Sequence, residues 1–310
     1  MTKIGSSDLD VFGLNLGGNV FGFTADEQQS FDVLDAYTAA GGNFIDTADS
    51  YSAFVPGHVG GESETIIGKW LTRRGRRDDV VVATKVGSLG TRPGLSAKNI
   101  AAAAEDSLER LQTDYLDLYY AHGDDAGTAL EETLQAFDGL VRSGKVRYIA
   151  ASNYTASRLA EALAVSDREG FARYVALQPH YNLVERGYEE ELAPLVAREG
   201  LATLPYFGLA GGFLTGKYRS DEDAGKSPRA AGALAYLDAR GERVLAVLDE
   251  VARAHRASVA SVSLAWLGAQ PTVAAPIASA RTTGQLPDLL ASVSLELTPA
   301  ELAALSDAAA

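Results

Sequence analysis

The chain has no cysteine, a single methionine at its start, two tryptophans and four histidines in 310 residues. Without cysteine there is no disulfide framework, thiolate-bound zinc, iron–sulfur cluster or thiol nucleophile. Positive charge is scarce as well. Against 41 Asp and Glu stand 27 Lys and Arg, a formal charge of −14. Nucleic acid attracts basic faces, so this balance argues against a phosphate-backbone binder. Long apolar runs are also missing. No stretch approaches the roughly 18 residues of a spanning helix, and residues 1–8 lack the charged-then-apolar order of a signal peptide. The expectation is a cytoplasmic protein without membrane or nucleic-acid partners. What remains is a chain that is 46% hydrophobic and 22% charged, a balance suited to a folded core.

Eight short β-branched or aromatic runs read as strands: residues 13–16, 43–45, 80–84, 115–120, 146–150, 174–178, 201–204 and 273–277. Between them lie segments with helical apolar spacing, including residues 101–111, 130–141 and 244–251. Strands alternating with helices favour a parallel sheet, and eight units over this length predict an α/β chain folded as one (β/α)8 TIM barrel spanning residues 1–310. Residues 3–12 read as a hairpin before the barrel. Thr298-Pro299-Ala300-Glu301 predicts a final helix, with Pro at its first position and Glu at its third. Residues 217–240 read as a long polar loop, of the length that is usually functional.

Motif searches narrow the chemistry. There is no G-x-G-x-x-G and no H-E-x-x-H. Gly211-Gly212-Phe213-Leu214-Thr215-Gly216-Lys217-Tyr218 approaches a P-loop, but Tyr stands where a Mg²⁺-binding hydroxyl is required. No metal site is expected. In a barrel, chemistry collects at the C-terminal ends of the strands. Asp46, Tyr51, Lys85 and His122 fall there, beyond three consecutive strands. Singly, each has a plain structural reading, as a cap, a loop aromatic, a solvated charge or a structural histidine. Together they form a proton-transfer set. A phenol is a poor acid until a cation stabilises its phenolate. Lys85 supplies the cation, Asp46 holds it, and His122 orients a substrate oxygen.

These residues sit within stretches that resemble the aldo-keto reductase family. They include Gly41-Gly42-Asn43-Phe44-Ile45-Asp46-Thr47-Ala48-Asp49-Ser50-Tyr51, Ala83-Thr84-Lys85-Val86-Gly87 and Asp117-Leu118-Tyr119-Tyr120-Ala121-His122. Ala151-Ser152-Asn153-Tyr154, Gln178-Pro179-His180-Tyr181-Asn182 and Pro276-Ile277-Ala278-Ser279-Ala280-Arg281-Thr282 follow in order. The resemblance implies a carbonyl reductase that binds NADPH in a barrel, with Tyr51 as proton donor and Lys85, Asp46 and His122 completing a tetrad. It also implies cofactor contacts at Gly18, Asn19, Val20, Asp46, Ser152, Asn153, Gln178 and Tyr206. Further contacts are expected at Phe207, Leu209, Gly211, Leu214 and Lys217, with Ser279, Arg281 and Gln285 at the adenosine end. The family's substrate is a small-molecule carbonyl: an aldehyde, a ketone or a sugar-like carbonyl. Phe21, Phe23, Phe54, Tyr51 and His122 are expected to line its pocket, with the loops 53–60, 87–94 and 217–240. The chain departs from the family pattern at Phe207-Gly208-Leu209, at Asp288 and Leu289, and at Gly18-Asn19-Val20. Two other readings are an NADPH-binding regulatory or channel-associated subunit with slow turnover, and a lyase or isomerase using Lys85 as a Schiff base. The oligomeric state is open.

Overall fold

The computed structural model describes residues 1–226 and 230–310. A hairpin of β1 (Thr2–Lys3) and antiparallel β2 (Asp10–Val11) comes first. Then follow β3 (Asn15–Gly17), α1 (Glu27–Ala39), β4 (Phe44–Asp46), α2 (Glu62–Arg74) and β5 (Val81–Val86). A small hairpin of β6 (Ser88–Leu89) and β7 (Arg92–Pro93) precedes α3 (Ala97–Leu111), β8 (Leu116–Ala121), α4 (Leu130–Arg142) and β9 (Val146–Ser152). Next come α5 (Ala156–Glu169), β10 (Tyr174–Gln178), α6 (Tyr188–Glu199) and β11 (Ala202–Thr203). The last third holds α7 (Ala230–Leu234), α8 (Ala239–His255), α9 (Val259–Gly268), β12 (Ile277–Ala278), α10 (Leu286–Ala291) and α11 (Pro299–Ala308).

Eight strands pair in the order β11-β10-β9-β8-β5-β4-β3-β12, all parallel. The seam closes just before β12. Thr203 N–H donates to Thr272 O at 2.8 Å, and Ala274 N–H donates to Thr203 O at 3.0 Å. This is the predicted (β/α)8 barrel. The eighth strand is displaced from residues 273–277 to Ile277–Ala278. Pro276 has no N–H for a ladder, so regular pairing begins after it, although its carbonyl still accepts from Asn15.

Strand alternation divides the apolar residues into two cores. Phe44, Val81, Ala83, Leu118, Tyr120, Ala150, Ala176 and Leu204 fill the lumen and pack against Ile4, Leu9 and Val11 of the first hairpin. That hairpin plugs the bottom of the barrel. The opposite faces of the strands pack on the helices, as with Leu16, Ile45, Val82 and Tyr119. Along β5 the inward series runs Val81, Ala83, Lys85, so a lysine ends a lumen that is otherwise apolar.

Helix starts follow their caps. α3 begins before the predicted 101–111 because the Ser96 side chain accepts from Asn99 N–H. α11 carries the expected capping box of Thr298 and Glu301. The predicted loop 217–240 is partly ordered. It contains a 3₁₀ turn at Asp221–Lys226, α7 with buried Ala230 and Ala233, and the start of α8. Ser227, Pro228 and Arg229 of that loop lie outside the described residues. Among the described residues no helix is long and apolar enough to cross a membrane.

Candidate active site

β4 ends on Asp46 and β5 runs through Lys85, and their side chains meet at the C-terminal mouth. The three Lys85 protons are all engaged: Nζ donates to Asp46 Oδ2 at 2.6 Å, to Thr47 O at 2.7 Å and to Tyr51 Oη at 2.8 Å. Tyr51 reaches this point through consecutive turns after β4, in which Ser52 adopts a φ of 70°. Its hydroxyl donates to Asp46 Oδ2 at 3.2 Å. The other Asp46 oxygen accepts from Gln178 Nε2 at 2.9 Å. His122, just past β8, stands edge-on to Tyr51 with ring centroids 6.1 Å apart, and its Nδ1 lies 3.4 Å from Ser50 Oγ. The four groups expected from the strand ends are therefore one array.

Burial sets their protonation. Desolvation, then the Asp46 carboxylate, push the Tyr51 phenol well above its ordinary value, so its proton is retained. Desolvation lowers the Lys85 ammonium, against the pull of Asp46. Burial and the Lys85 charge hold His122 down at about 3, which keeps the imidazole neutral at ordinary pH. Lys85 is 1% exposed and does not line the cleft, so a Schiff base there has no approach for a carbonyl.

From this array a cleft of about 670 Å³ runs across the barrel mouth. At the inner end Ser152 Oγ donates to Gln178 O at 2.8 Å, and Asn153, at a φ of 54°, donates from Nδ2 to His122 O at 2.8 Å. Tyr206 donates to Asn153 Oδ1 at 2.9 Å and stacks on His180 at 5.2 Å. At the outer end Ser279 Oγ donates to Asn19 Oδ1 at 2.7 Å, and Gln285 Oε1 accepts from Arg281 N–H at 2.8 Å. The near-P-loop run forms a 3₁₀ segment, Ala210–Thr215, in which Gly211 and Gly212 take φ of 66° and 108°. Gly17 belongs to the same wall. A Cβ on it would lie 2.6 Å from Ser279 Oγ, so the two strands meet this closely only at glycine.

The cleft brings together Asn19, Val20, Asp46, Tyr51, His122, Ser152, Asn153, Gln178, Tyr206, Phe207, Leu209, Gly211, Lys217, Ser279, Arg281 and Gln285. It does not include every predicted residue. Gly18 is enclosed beneath it, its N–H donating to Asp46 O at 2.7 Å. Leu214 is fully buried in the helix-side core, where it covers apolar surface. Phe21 is also fully buried there, because the turn after β3 folds it inward, and it is no pocket wall. Phe23 and Phe54 pack edge-on at 5.1 Å outside the cleft lining. The loops 53–60 and 87–94 also contribute nothing to that lining. Of the described residues of 217–240, only Lys217 does.

The departures Asp288 and Leu289 do line the cleft, while Thr24, Thr215, Ser258, Ala260 and Gly284 were not anticipated. Ser258 caps α9. A Ser before an apolar run is a legible helix start, but nothing in the sequence says that this helix end faces the cleft.

A family model described as "Aldo/keto reductase family" matches residues 13–310. The chain is 36% identical to the uncharacterized oxidoreductase YrpG of Bacillus subtilis, over 99% of this chain and 94% of that protein. It is 35% identical to protein tas of Escherichia coli, over 97% of this chain and 95% of that one. It is 31% identical to aryl-alcohol dehydrogenase GME11368 of Pestalotiopsis microspora, over 88% and 70% respectively. The barrel, the array at its mouth and this likeness along nearly the whole length agree: the chain belongs to the aldo/keto reductase family of oxidoreductases.

Proposed function

We propose that this chain reduces aldehyde or ketone carbonyls to alcohols, with NADPH as the cofactor and Tyr51 as the proton donor. One observation carries the reading: the Tyr51 oxygen lies 2.8 Å from the Lys85 ammonium, at the inner end of a cleft that also contains Lys217 and Arg281. The donor set suits the cofactor. Asn153 and Gln178 offer amides beside the array, to match a carboxamide. The side-chain-free turn at Gly211 and Gly212 permits close approach of a pyrophosphate. Arg281 has no ion pair or side-chain hydrogen bond among the described residues, which leaves its fork for the 2′-phosphate that distinguishes NADPH from NADH. When bound, NADPH supplies the hydride.

The chain's own residues handle the proton. His122, neutral, hydrogen-bonds the carbonyl oxygen and fixes its position. Tyr51 gives its proton to that oxygen as negative charge develops there. Lys85 stabilises the phenolate left behind, and Asp46 keeps Lys85 in place. The partner is a small carbonyl compound in the mouth beside Tyr51 and His122.

The assignment of Arg281 is tested by Arg281→Ala. Charge-assisted hydrogen bonds are worth about 1.5–3 kcal/mol, so KM for NADPH should rise roughly 10- to 100-fold. Turnover with NADH, which has no 2′-phosphate, should stay within about 2-fold. Steady-state kinetics with both cofactors and one aldehyde measures this. An equal loss with both would remove Arg281 from the phosphate.

A further inference from the structure

Behind the array lies a second acid that the proton transfer above does not use. Asp49 is 1% exposed, and no side chain among the described residues donates to either of its carboxyl oxygens. Its backbone N–H donates to the Lys85 carbonyl at 3.3 Å, which fixes the two residues side by side. The groups facing it come from each surrounding element: Lys85 on β5, Glu64 on α2, Arg110 on α3 and Tyr119 on β8.

Glu64, Arg110 and Lys85 hold other partners. Fully buried Glu64 accepts from Thr84 Oγ1 at 2.5 Å and from Arg110 Nε at 2.6 Å. All three Lys85 protons go to Asp46, Thr47 and Tyr51. The Tyr119 hydroxyl is enclosed with no hydrogen-bond partner among the described residues. Asp49 therefore acts on Lys85 through its field and not through a hydrogen bond. A buried carboxylate to which no side chain donates is costly, and a second carboxylate beside it adds repulsion.

We propose that Asp49 is a positioning residue for the proton transfer: by gaining and losing a proton behind Lys85, it sets how much of the ammonium's charge reaches the Tyr51 oxygen. The inference rests on Tyr51 being the proton donor. Burial, then Glu64, push the Asp49 carboxyl up to about 7, against Arg110, Lys85 and the backbone N–H of Ser50. Protonated Asp49 leaves the Lys85 charge undiluted, so the phenolate is better stabilised and Tyr51 is the stronger acid. Ionised Asp49 offsets that charge, and Tyr51 holds its proton more tightly. Reduction, which spends the Tyr51 proton, is favoured below the Asp49 midpoint. Alcohol oxidation, which returns it, is favoured above. His122 does not imitate this transition, because it is held down at about 3.

The test is the pH profile of kcat in both directions, from about pH 5 to about pH 9. The wild type should lose reduction rate by about 5- to 10-fold across an inflection near neutrality, and gain oxidation rate there. Asp49→Asn keeps the shape and removes the titration. It should hold the low-pH reduction rate through that range, and an unchanged inflection would overturn the proposal. Glu64→Gln keeps Asp49 but removes the repulsion, so the inflection should move to lower pH; a fixed inflection also overturns it. A readout without turnover comes from infrared titration of the free protein. The carbonyl band of a protonated carboxyl should be present below neutrality in the wild type and missing from Asp49→Asn, and a band that survives the substitution counts against the proposal. Tyr51→Phe is run alongside. If it stays active, the donor assignment itself fails; if it is inactive while Asp49→Asn keeps the inflection, only the role of Asp49 fails.

Discussion

Tyr51→Phe is expected to lower kcat for carbonyl reduction by about 10²- to 10⁴-fold, the range that a positioned general acid contributes. The substitution removes one oxygen and little else. Lys85 keeps its bonds to Asp46 Oδ2 and Thr47 O, and the ring keeps its edge-on contact with His122. The Lys85 Nζ also lies 4.7 Å from the centroid of the Tyr51 ring, a cation–π contact that phenylalanine preserves. Fold and cofactor affinity should therefore change little. NADPH affinity, read by fluorescence titration, should stay within about 2-fold, because a proton donor acts in the transition state and not in ground-state binding. A variant that keeps half of wild-type turnover would place the proton elsewhere. A variant that loses turnover and NADPH binding together would point to collapse of the array.

The array was legible because its chemistry is concentrated at strand ends. Asp46 closes one strand run and Lys85 and His122 end the next two, so a barrel alone brings them to one mouth. The direction of a side chain in a loop carries no such signal. Phe21 and Phe23 are two apart after β3, and both read as pocket aromatics. The turn folds Phe21 into the helix-side core and leaves Phe23 against Phe54. The outer cleft shows a similar limit. Asn19 and Ser279 are 260 residues apart and touch only because β12 closes on β3. Asp49 lies within the Gly41–Tyr51 stretch, yet its surroundings depend on Glu64, Arg110 and Tyr119 arriving from three other elements.

The largest stability effect is expected far from this mouth, at Asp117 near the start of β8. Asp117 is 1% exposed and satisfies three donors. Its Oδ2 accepts from Arg77 at 2.6 Å and from Val82 N–H at 2.9 Å, and its Oδ1 accepts from Arg147 at 2.9 Å. Asp117→Ala leaves these groups to fare differently. Arg147 is 40% exposed and keeps Asp8 at 2.9 Å, so water and that partner offset most of its loss. Arg77 is 17% exposed and lies over the Tyr115 ring at 4.2 Å, where it retains only carbonyl and hydroxyl acceptors. The Val82 N–H, deep in the sheet, loses the carboxylate to which it donates. Breaking a buried pair costs about 3–5 kcal/mol. Because one of the two cations stays solvated, the lower end, about 3 kcal/mol, is expected. Urea unfolding should show the midpoint falling with the slope unchanged. The folded fraction should keep its kcat, since Asp117 lies near the start of β8, at the opposite end of the strand from His122. A loss below about 1 kcal/mol would mean that the two arginines are held by their other partners and that water reaches Val82.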